Sequence, residues 1–215
     1  GEGGGAAAGG GGGAPSRFEF ALILFAGLIV FNLFAECITR APSLIIGNVN
    51  YVKKVVFPLE ILPLVTMGAA LFHSVVSLGV LLIVYMLVTA SLNWTIIFAP
   101  LVIFPLLLIT LGLSWFLASV GVFVRDVAQT IGLLVTVLMF LSPIFYPVSA
   151  LPAKYHVFIY MNPLTFIIEQ MRDVLIWGKL PSWAGMGLLM TIGLLLAWLG
   201  LVWFQKTRKG FADVL

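Results

Sequence analysis

The chain has 215 residues, of which 62% are hydrophobic and only 9% are charged, and its formal net charge is +3. Soluble domains carry a charge on about a quarter of their residues, so this composition excludes an ordinary soluble domain and indicates a membrane protein with several spans. The small positive charge is better explained by basic loops beside a membrane than by nucleic-acid binding.

The chain begins with a glycine and alanine tract, GEGGGAAAGGGGGAPS, at residues 1–16. Low complexity without apolar periodicity predicts a flexible tail, which we place at residues 1–17, ahead of a membrane domain at residues 18–215. The tract lacks the basic and apolar regions of a signal peptide. It also lacks the Lys and the Ser or Thr that follow the last glycine of a phosphate-binding loop, and we find no ATP site elsewhere in the sequence.

Five later stretches are long and apolar enough to cross a bilayer, whose hydrocarbon core needs about 20 residues of helix. They are residues 18–36, 62–90, 96–122, 128–148 and 184–204. A transmembrane β-barrel would alternate apolar and polar residues in segments of about ten, and residues 78–88 do not alternate. The sequence therefore predicts an all-α fold, a transmembrane bundle with five spans.

The basic residues are divided unevenly between the two sides of these spans. Short loops rich in Lys and Arg stay on the cytoplasmic side of a membrane. One side has the C-terminus and seven basic residues, Arg40, Lys53, Lys54, Arg125, Lys206, Arg208 and Lys209, and the other has Arg17, Lys154, Arg172 and Lys179. The first side is therefore predicted to be cytoplasmic.

The loop between the first two spans has a pattern of its own. Residues 42–57 place Ile45, Val49, Val52 and Val56 on one helical face, and Pro58 ends the pattern. A helix of this length with two lysines is too short and too polar to span. We predict that it lies along the membrane surface or rests its apolar face in a groove on a cytoplasmic protein.

A second segment that does not span follows the fourth span, at residues 161–183. Asn162 can cap a helix, Pro163 suits its first turn and Gly178 can end it. The apolar stripe consists of Leu164, Ile167, Ile168, Met171 and Leu175, and the opposite side carries Glu169, Arg172 and Asp173. We expect Glu169 to pair with Arg172, and Asp173 with a neighbouring cation. Since charges at the bilayer centre are costly, the helix should lie in the outer interface or re-enter the membrane.

The stretch just before it, LSPIFYPVSALP at residues 141–152, contains Pro143 and Pro147. These prolines interrupt a helix at membrane depth, so backbone carbonyls lose their donors. Such a break is tolerated where it lines a cavity or packs against protein. A plain helix end, with Tyr146 as an interfacial anchor, explains the pattern equally well.

Residues with catalytic or metal-binding chemistry are sparse. Cys37 is the single cysteine, so it forms no disulfide within the chain. His73 is better explained by an interhelical hydrogen bond, beside Ser74 and Ser77, than by a proton relay. Ser114 and Ser119 have no accompanying base and are predicted to pack between helices. We therefore predict no catalytic residue, metal site or cofactor.

Five motifs together resemble a known family. They are VKKVVFPLEILP, VRDVAQ, LSPIFYPVSALP, NPLTFIIEQMRDVL and KGFADVL, and they cover about residues 18–215 in order. The chain resembles the membrane subunits of ABC-2 type exporters, in the branch that moves O-antigen, capsular polysaccharide and teichoic acid. Such subunits are helical permeases of six spans that form homodimers and bind two copies of an ATPase subunit. The resemblance implies that our five spans are the second to the sixth, so that the chain is N-terminally incomplete.

The resemblance also implies roles for particular residues. The helix at residues 42–57 would be the coupling helix that docks on the ATPase, and Glu60 would pair with Lys53, Lys54 or Arg125 where the chain re-enters the membrane. The expected ATPase contacts are Asn48, Asn50, Lys53, Lys54, Glu60, Arg125 and Asp126, and the expected translocation path is bordered by Pro143, Phe145, Tyr146 and Pro147. An alternative for the basic residues is a role in topology alone.

The resemblance implies a protein of the bacterial inner membrane that exports a polyprenyl-linked glycan. It would not be an enzyme itself, because ATP is hydrolysed by the partner. Two other functions stay open. One is export of a drug or small lipid, and the other is an intramembrane enzyme for envelope glycans, for which Glu36 and His73 are the available polar residues in spans.

Overall fold

The computed structural model describes residues 17–53, 56–146 and 148–215. Of the tail predicted at residues 1–17, residues 1–16 lie outside the described part, and Arg17 is the first residue of α1 instead of part of a tail. Within the described part the regular structure is entirely helical, which confirms the predicted fold class. The α-helices are α1 Arg17–Arg40, α2 Val49–Lys53, α3 Ile61–Thr89, α4 Ala99–Phe123, α5 Val127–Leu141, α6 Ala153–Tyr160, α7 Pro163–Arg172, α8 Trp183–Thr207 and α9 Phe211–Val214. Short 3-10 turns and a π-helical turn at Asp173–Trp177 connect them.

In the described part of the chain, four helical stretches are long and apolar enough to cross a membrane. They are Arg17–Ser43, Ile61–Thr89, Trp94–Phe123 and Trp183–Val214, and they match four of the five predicted spans. The span predicted at residues 128–148 is shorter, since α5 has 15 residues and a length of about 22 Å. The backbone leaves the helix at Ser142, where ψ is 147°. Pro143 follows, which favours an extended conformation at the residue before it and explains the early end.

Within the described part of the chain, the most extensive contact between two helices joins α4 and α8. Gly112 of α4 and Gly200 of α8 meet there, and a Cβ atom at Gly200 would collide with the Gly112 carbonyl oxygen. Small residues allow two membrane helices to approach this closely, and the close approach gains van der Waals contact. Helix α1 packs on α3, α4, α5 and α7, whereas α3 leaves most of its apolar surface exposed.

Contacts between the helix ends define two ends of the bundle. At the basic end, residues 40–53 and 56–60 lie beside the end of α4, the start of α5 and the C-terminal residues 208–215. At the opposite end, Asn93 bonds to Ile176, and Gln170 bonds to Ser182. The seven basic residues of the predicted cytoplasmic side all belong to the basic end by sequence position.

Candidate functional site

The segment between α1 and α3 is not the continuous helix predicted at residues 42–57. It consists of two 3-10 turns, Ala41–Ser43 and Ile46–Asn48, and the five-residue helix α2. Gly47 and Asn48 favour non-helical backbone, and the Asn48 side chain donates to the Leu44 carbonyl at 2.7 Å. Local side-chain bonding therefore prevails over the apolar period that predicted one helix.

The apolar face of this segment, which we call the docking segment (residues 41–53), is only partly as predicted. Ile45 is fully buried and Val52 packs on the same cluster, but Val56 is fully exposed beyond the segment. The polar residues Asn50 and Lys53 are exposed, and Lys54 lies outside the described residues. Residues 46–51 line a shallow open hollow of about 480 Å³. Ile45 and Val52 thus hold the segment against the apolar cluster, and Asn50 and Lys53 face the solvent.

The partner of Glu60 differs from the prediction. Its carboxylate accepts hydrogen bonds from Arg208 Nη1 at 3.0 and 3.2 Å, and Arg208 Nη2 donates to the Phe57 carbonyl at 3.0 Å. Neither Lys53 nor Arg125 forms an ion pair with Glu60 in the described part of the chain. Arg208 follows α8, 148 positions along the chain, so the sequence pattern offered no signal for this pair.

Arg125 and Asp126 lie exposed in the turn between α4 and α5. The same turn adjoins the docking segment, because α4 and α5 both contact Ala41–Ser43. A Cβ atom at Gly121, near the end of α4, would collide with the Pro42 carbonyl, so only glycine permits this approach. The structure therefore brings together, on one end, the docking segment and the turn that the sequence assigned to ATPase contact.

The break after α5 combines buried and exposed residues. Pro143 and Ile144 are buried, whereas Phe145 is 41% exposed and Tyr146 is partly exposed. Asn162 holds the start of the break, since its side-chain amide donates to Ser142 Oγ at 2.9 Å. Pro147 lies outside the described residues. The two aromatic rings are thus carried on a fixed turn at the opposite end of the bundle.

Arg172 is the donor that satisfies this break, and the prediction placed it wrongly on a polar outer face. Its side chain is 1% exposed. It donates to the carbonyls of Ile23 at 3.1 Å, Ile144 at 2.9 Å and Tyr146 at 3.4 Å. Burial lowers the pKa of Arg172, and the neighbouring Glu169 carboxylate opposes this shift. One guanidinium therefore satisfies the Ile144 and Tyr146 carbonyls, which lie in the non-helical break, and ties the break to α1 through the Ile23 carbonyl.

The expected pair of Glu169 and Arg172 is confirmed, with 2.9 Å between Oε1 and Nη1. A glycine makes room for the arginine, because a Cβ atom at Gly27 would lie 2.7 Å from Arg172 Nη2. The arginine head group thus sits against α1. The sequence contained one signal for this arrangement, a glycine inside an apolar helix, but nothing in it connected Gly27 to a residue of α7.

Local signals predicted the rest of α7 correctly. The Asn162 side chain accepts from the Leu164 amide, Pro163 occupies the first turn, and Gly178 ends the π-helical turn with φ of 65°. Every residue of the predicted stripe is buried, as seen for Leu164, Ile167, Ile168, Met171 and Leu175. Asp173 is half-buried, and burial raises the pKa of its carboxyl, although Lys179 lowers it. Helix α7 is therefore packed into the bundle, against α1 and α4.

A groove of about 980 Å³ runs between α1 and α3. Its walls are mainly apolar, and Glu36 lies in it at 3.2 Å from His73 Nδ1 and 3.4 Å from Arg40. His73 therefore makes an interhelical hydrogen bond, as predicted, but with Glu36 of the first span. An ion pair of this kind lowers the cost of placing a carboxylate within an apolar helix. Groups of three or more residues suited to a metal ion are absent from the described part of the chain.

Comparison with known proteins gives a consistent result. The family model for the ABC-2 type transporter matches residues 7–176. The O-antigen export system permease protein RfbA of Klebsiella pneumoniae is 28% identical over 200 residues, which are 92% of this chain and 76% of the relative. The protein of the same name from Myxococcus xanthus is 25% identical over 197 residues, with 91% and 76% of the two chains covered.

The polysialic acid transport protein KpsM of Escherichia coli is 24% identical over 203 residues, or 89% of this chain and 74% of the relative. The family match covers most of the chain, and the described part is the helical bundle with apolar spans that a multi-pass membrane subunit requires. This chain belongs to the ABC-2 type transporter family.

Proposed function

We propose that this chain is the membrane-spanning permease subunit of an ATP-driven exporter that moves lipid-linked polysaccharide across the bacterial inner membrane. The observation that carries the proposal is its similarity, over about nine-tenths of its length, to permeases named for O-antigen export. A relative named for polysialic acid transport supports the same class of cargo, a long polar glycan.

The energy source in this proposal is a separate ATPase subunit. The given sequence contains no phosphate-binding loop, and the proposal assigns ATP hydrolysis to this partner. The docking segment is the proposed contact, because it is anchored by Ile45 and exposes Asn50 and Lys53, and Arg125 and Asp126 are exposed at the same end of the bundle. The proposed contact also includes Asn48 and Lys54, of which Lys54 lies outside the described residues. The excess of basic residues at this end supports a cytoplasmic location.

The proposed cargo path runs beside the break at the opposite end of the bundle, with two copies of the chain forming the pore. Phe145 and Tyr146 present aromatic rings there on a turn that Arg172 fixes. Flat apolar ring faces suit stacking on sugar rings, and aromatic groups at the interface are also stable beside lipid. Glu169 and Asp173 lie partly exposed near the turn and complete the polar border of this path.

Reconstitution tests the function directly. The permease with its ATPase is placed in lipid vesicles, and ATP hydrolysis and transport are measured with a polyprenyl-linked glycan, a free glycan and an amphiphilic drug. We expect stimulation by the lipid-linked glycan alone. Stimulation by the drug instead would contradict the proposed cargo class and favour a drug or small-lipid exporter.

Charge reversal tests the docking surface. Lys53→Glu with Lys54→Glu replaces attraction by repulsion across the proposed contact, so less ATPase should be retained on purification, and added salt should partly restore it. Lys154→Glu with Lys179→Glu makes the same change of charge at the opposite end and serves as the matched control. Equal retention in both variants would return Lys53 and Lys54 to a role in topology alone.

A further inference from the structure

The C-terminal residues of the chain are part of the core at the basic end. Phe211 is fully buried, with ring centroids 5.4 Å from Phe204 and 5.9 Å from Phe123. The same apolar cluster contains Ile45 of the docking segment and Leu59, the residue before Glu60. The chain end and the docking segment therefore share one small core, which is separate from the main core of the bundle.

Polar contacts reinforce this arrangement from two different helices. Arg208, directly after α8, binds both oxygens of the Glu60 carboxylate and the Phe57 carbonyl. Trp115 of α4 donates from Nε1 to the Glu60 carbonyl at 3.0 Å. Residues 57–60 are thus held by α4 on one side and by the end of α8 on the other.

The docking segment needs such support because it has little stiffness of its own. Its longest helix has five residues, and a helix of that length is unstable without tertiary contacts. A docking segment made of short turns would deform when the ATPase moves, and the movement would not reach the spans. Rigidity must therefore come from the residues that hold the segment to α4 and α8.

Tyr51 of the docking segment stacks on Phe57, with ring centroids 4.7 Å apart. The three acceptors that Arg208 occupies lie on Phe57 and Glu60, next to this contact. We therefore propose that Arg208 is a positioning residue that, through Phe57 and Glu60, locks the docking segment to α8, so that movement of a bound ATPase reaches the spans. The inference rests on the proposed function, since it assumes that an ATPase docks at residues 41–53. An isolated surface pair would contribute little, but the Glu60 side chain is only 18% exposed and the planar guanidinium is held by Glu60 and Phe57 together.

The first test measures position without an ATPase or cargo. Spin labels are placed at Asn50→Cys and Val124→Cys in a Cys37→Ser background, and the distance distribution is recorded in lipid vesicles. We expect the unmodified protein to give a single narrow peak in this distribution and Arg208→Gln to give a broader one. The swap of Glu60→Arg with Arg208→Glu should narrow it in part, because the ion pair is restored with its charges reversed but a carboxylate at position 208 cannot donate to the Phe57 carbonyl. Lys209→Gln removes the neighbouring exposed charge and should leave the peak unchanged.

The second test separates docking from coupling in the complex with the ATPase. Arg208→Gln should retain the ATPase and its basal hydrolysis, whereas export should fall by about tenfold, which corresponds to 1.4 kcal/mol. The swap should recover part of the export, and Lys209→Gln should match the unmodified protein. A role in stability alone would lower expression, retention and export together, and that result would overturn the proposal.

The two tests also distinguish failure of the inference from failure of the proposed function. If the unmodified chain neither retains an ATPase nor exports a glycan, the proposed function is wrong, and the distance distributions still decide whether Arg208 positions the segment. A narrow peak in Arg208→Gln overturns the inference. If Arg208→Gln does not insert into the membrane, the swap variant is measured instead. A swap variant that inserts but gives a distance distribution as broad as that of an unrestrained segment also overturns the inference.

Discussion

Arg172 shows how one side chain determines the conformation of an interrupted membrane helix. Removing it leaves the Ile144 carbonyl without its donor and Glu169 without its cation, and it breaks the hydrogen bond to the Ile23 carbonyl of α1. Loss of one partner of a buried charge pair costs about 3–5 kcal/mol, and we expect the lower part of this range because Glu169 is partly exposed. Arg172→Gln should therefore lower the Tm in detergent strongly.

Arg125→Gln is the matched control, since Arg125 is exposed and its replacement should change the stability by less than about 0.5 kcal/mol. Arg172→Lys keeps the charge but loses the planar fork, so it should fall between the two. Equal Tm values for Arg172→Gln and Arg125→Gln would show that Arg172 does not support the break.

Asp173 gives a pH dependence whose sign follows from burial. Burial raises the pKa of this carboxyl in the folded protein, so the folded state favours the neutral form. The stability linked to neutral Asp173 is fully present below the ordinary pKa of about 3.9 and is lost as the pH rises through the raised value. At pH 7, Asp173→Asn should therefore equal or exceed the unmodified protein in Tm.

The difference between the two proteins should shrink as the pH is lowered toward 4, because the native carboxyl then becomes protonated. Thermal unfolding across that range measures it, with Asp126→Asn as the control for removing an exposed charge. A Tm advantage of Asp173→Asn that grows on acidification would contradict the assignment. Lys179, which lowers the same pKa, would then be the dominant influence on Asp173.

At the scale of helices, the contact between α4 and α8 depends on glycine. A Cβ atom at Gly200 would overlap the Gly112 backbone, so Gly200→Ala should force the helices apart and cost about 1–3 kcal/mol. Gly187→Ala, in the same helix, meets nothing within 4 Å and should be neutral or stabilising, because alanine favours helix. Tm values measured in detergent compare the two variants. A smaller loss for Gly200→Ala than for Gly187→Ala would exclude this contact as a support of the bundle.

The helices themselves were predictable to different degrees. Asn162, Pro163 and Gly178 act through neighbouring residues, so their local pattern located α7 correctly. The predicted coupling helix failed because its apolar period was opposed by Gly47 and by the Asn48 side chain. The span predicted at residues 128–148 was too long, because the apolar composition continues beyond the end of α5 at Leu141.

Residues distant in sequence explain the remaining errors. Arg172 was assigned to an exposed face because its acceptor at Ile23 lies 149 positions away. Glu60 was paired with nearby cations for the same reason, although Arg208 is its partner. A single sequence records the need of a buried charge for a partner but not which partner the fold supplies. The proposed coupling and path residues are subject to the same limit, since their roles depend on surfaces formed between chains.

For the whole molecule, the distribution of charge makes a prediction about orientation. Seven basic residues belong to the basic end, and the opposite end has four, of which Arg172 is buried inside the protein. The difference between the two ends in basic residues that can face the solvent is therefore larger than the difference counted from the sequence. This strengthens the expectation that the basic end and the C-terminus are cytoplasmic. Single cysteines at Lys53, Lys206, Lys154 and Lys179, in a Cys37→Ser background, can be labelled in intact cells with a thiol reagent that does not cross membranes.

Labelling should occur at Lys154 and Lys179, and Lys53 and Lys206 should react only after the membrane is opened. A fifth single cysteine, at Arg125, decides whether the 15-residue helix α5 connects the two sides, because Arg125 precedes it and Lys154 follows it. If α5 and the break together cross the bilayer, positions 125 and 154 react from opposite sides. Reaction of both from the same side would leave four spans, and it would place the aromatic turn at Phe145 and Tyr146 on the cytoplasmic side, where it could not border an outward exit.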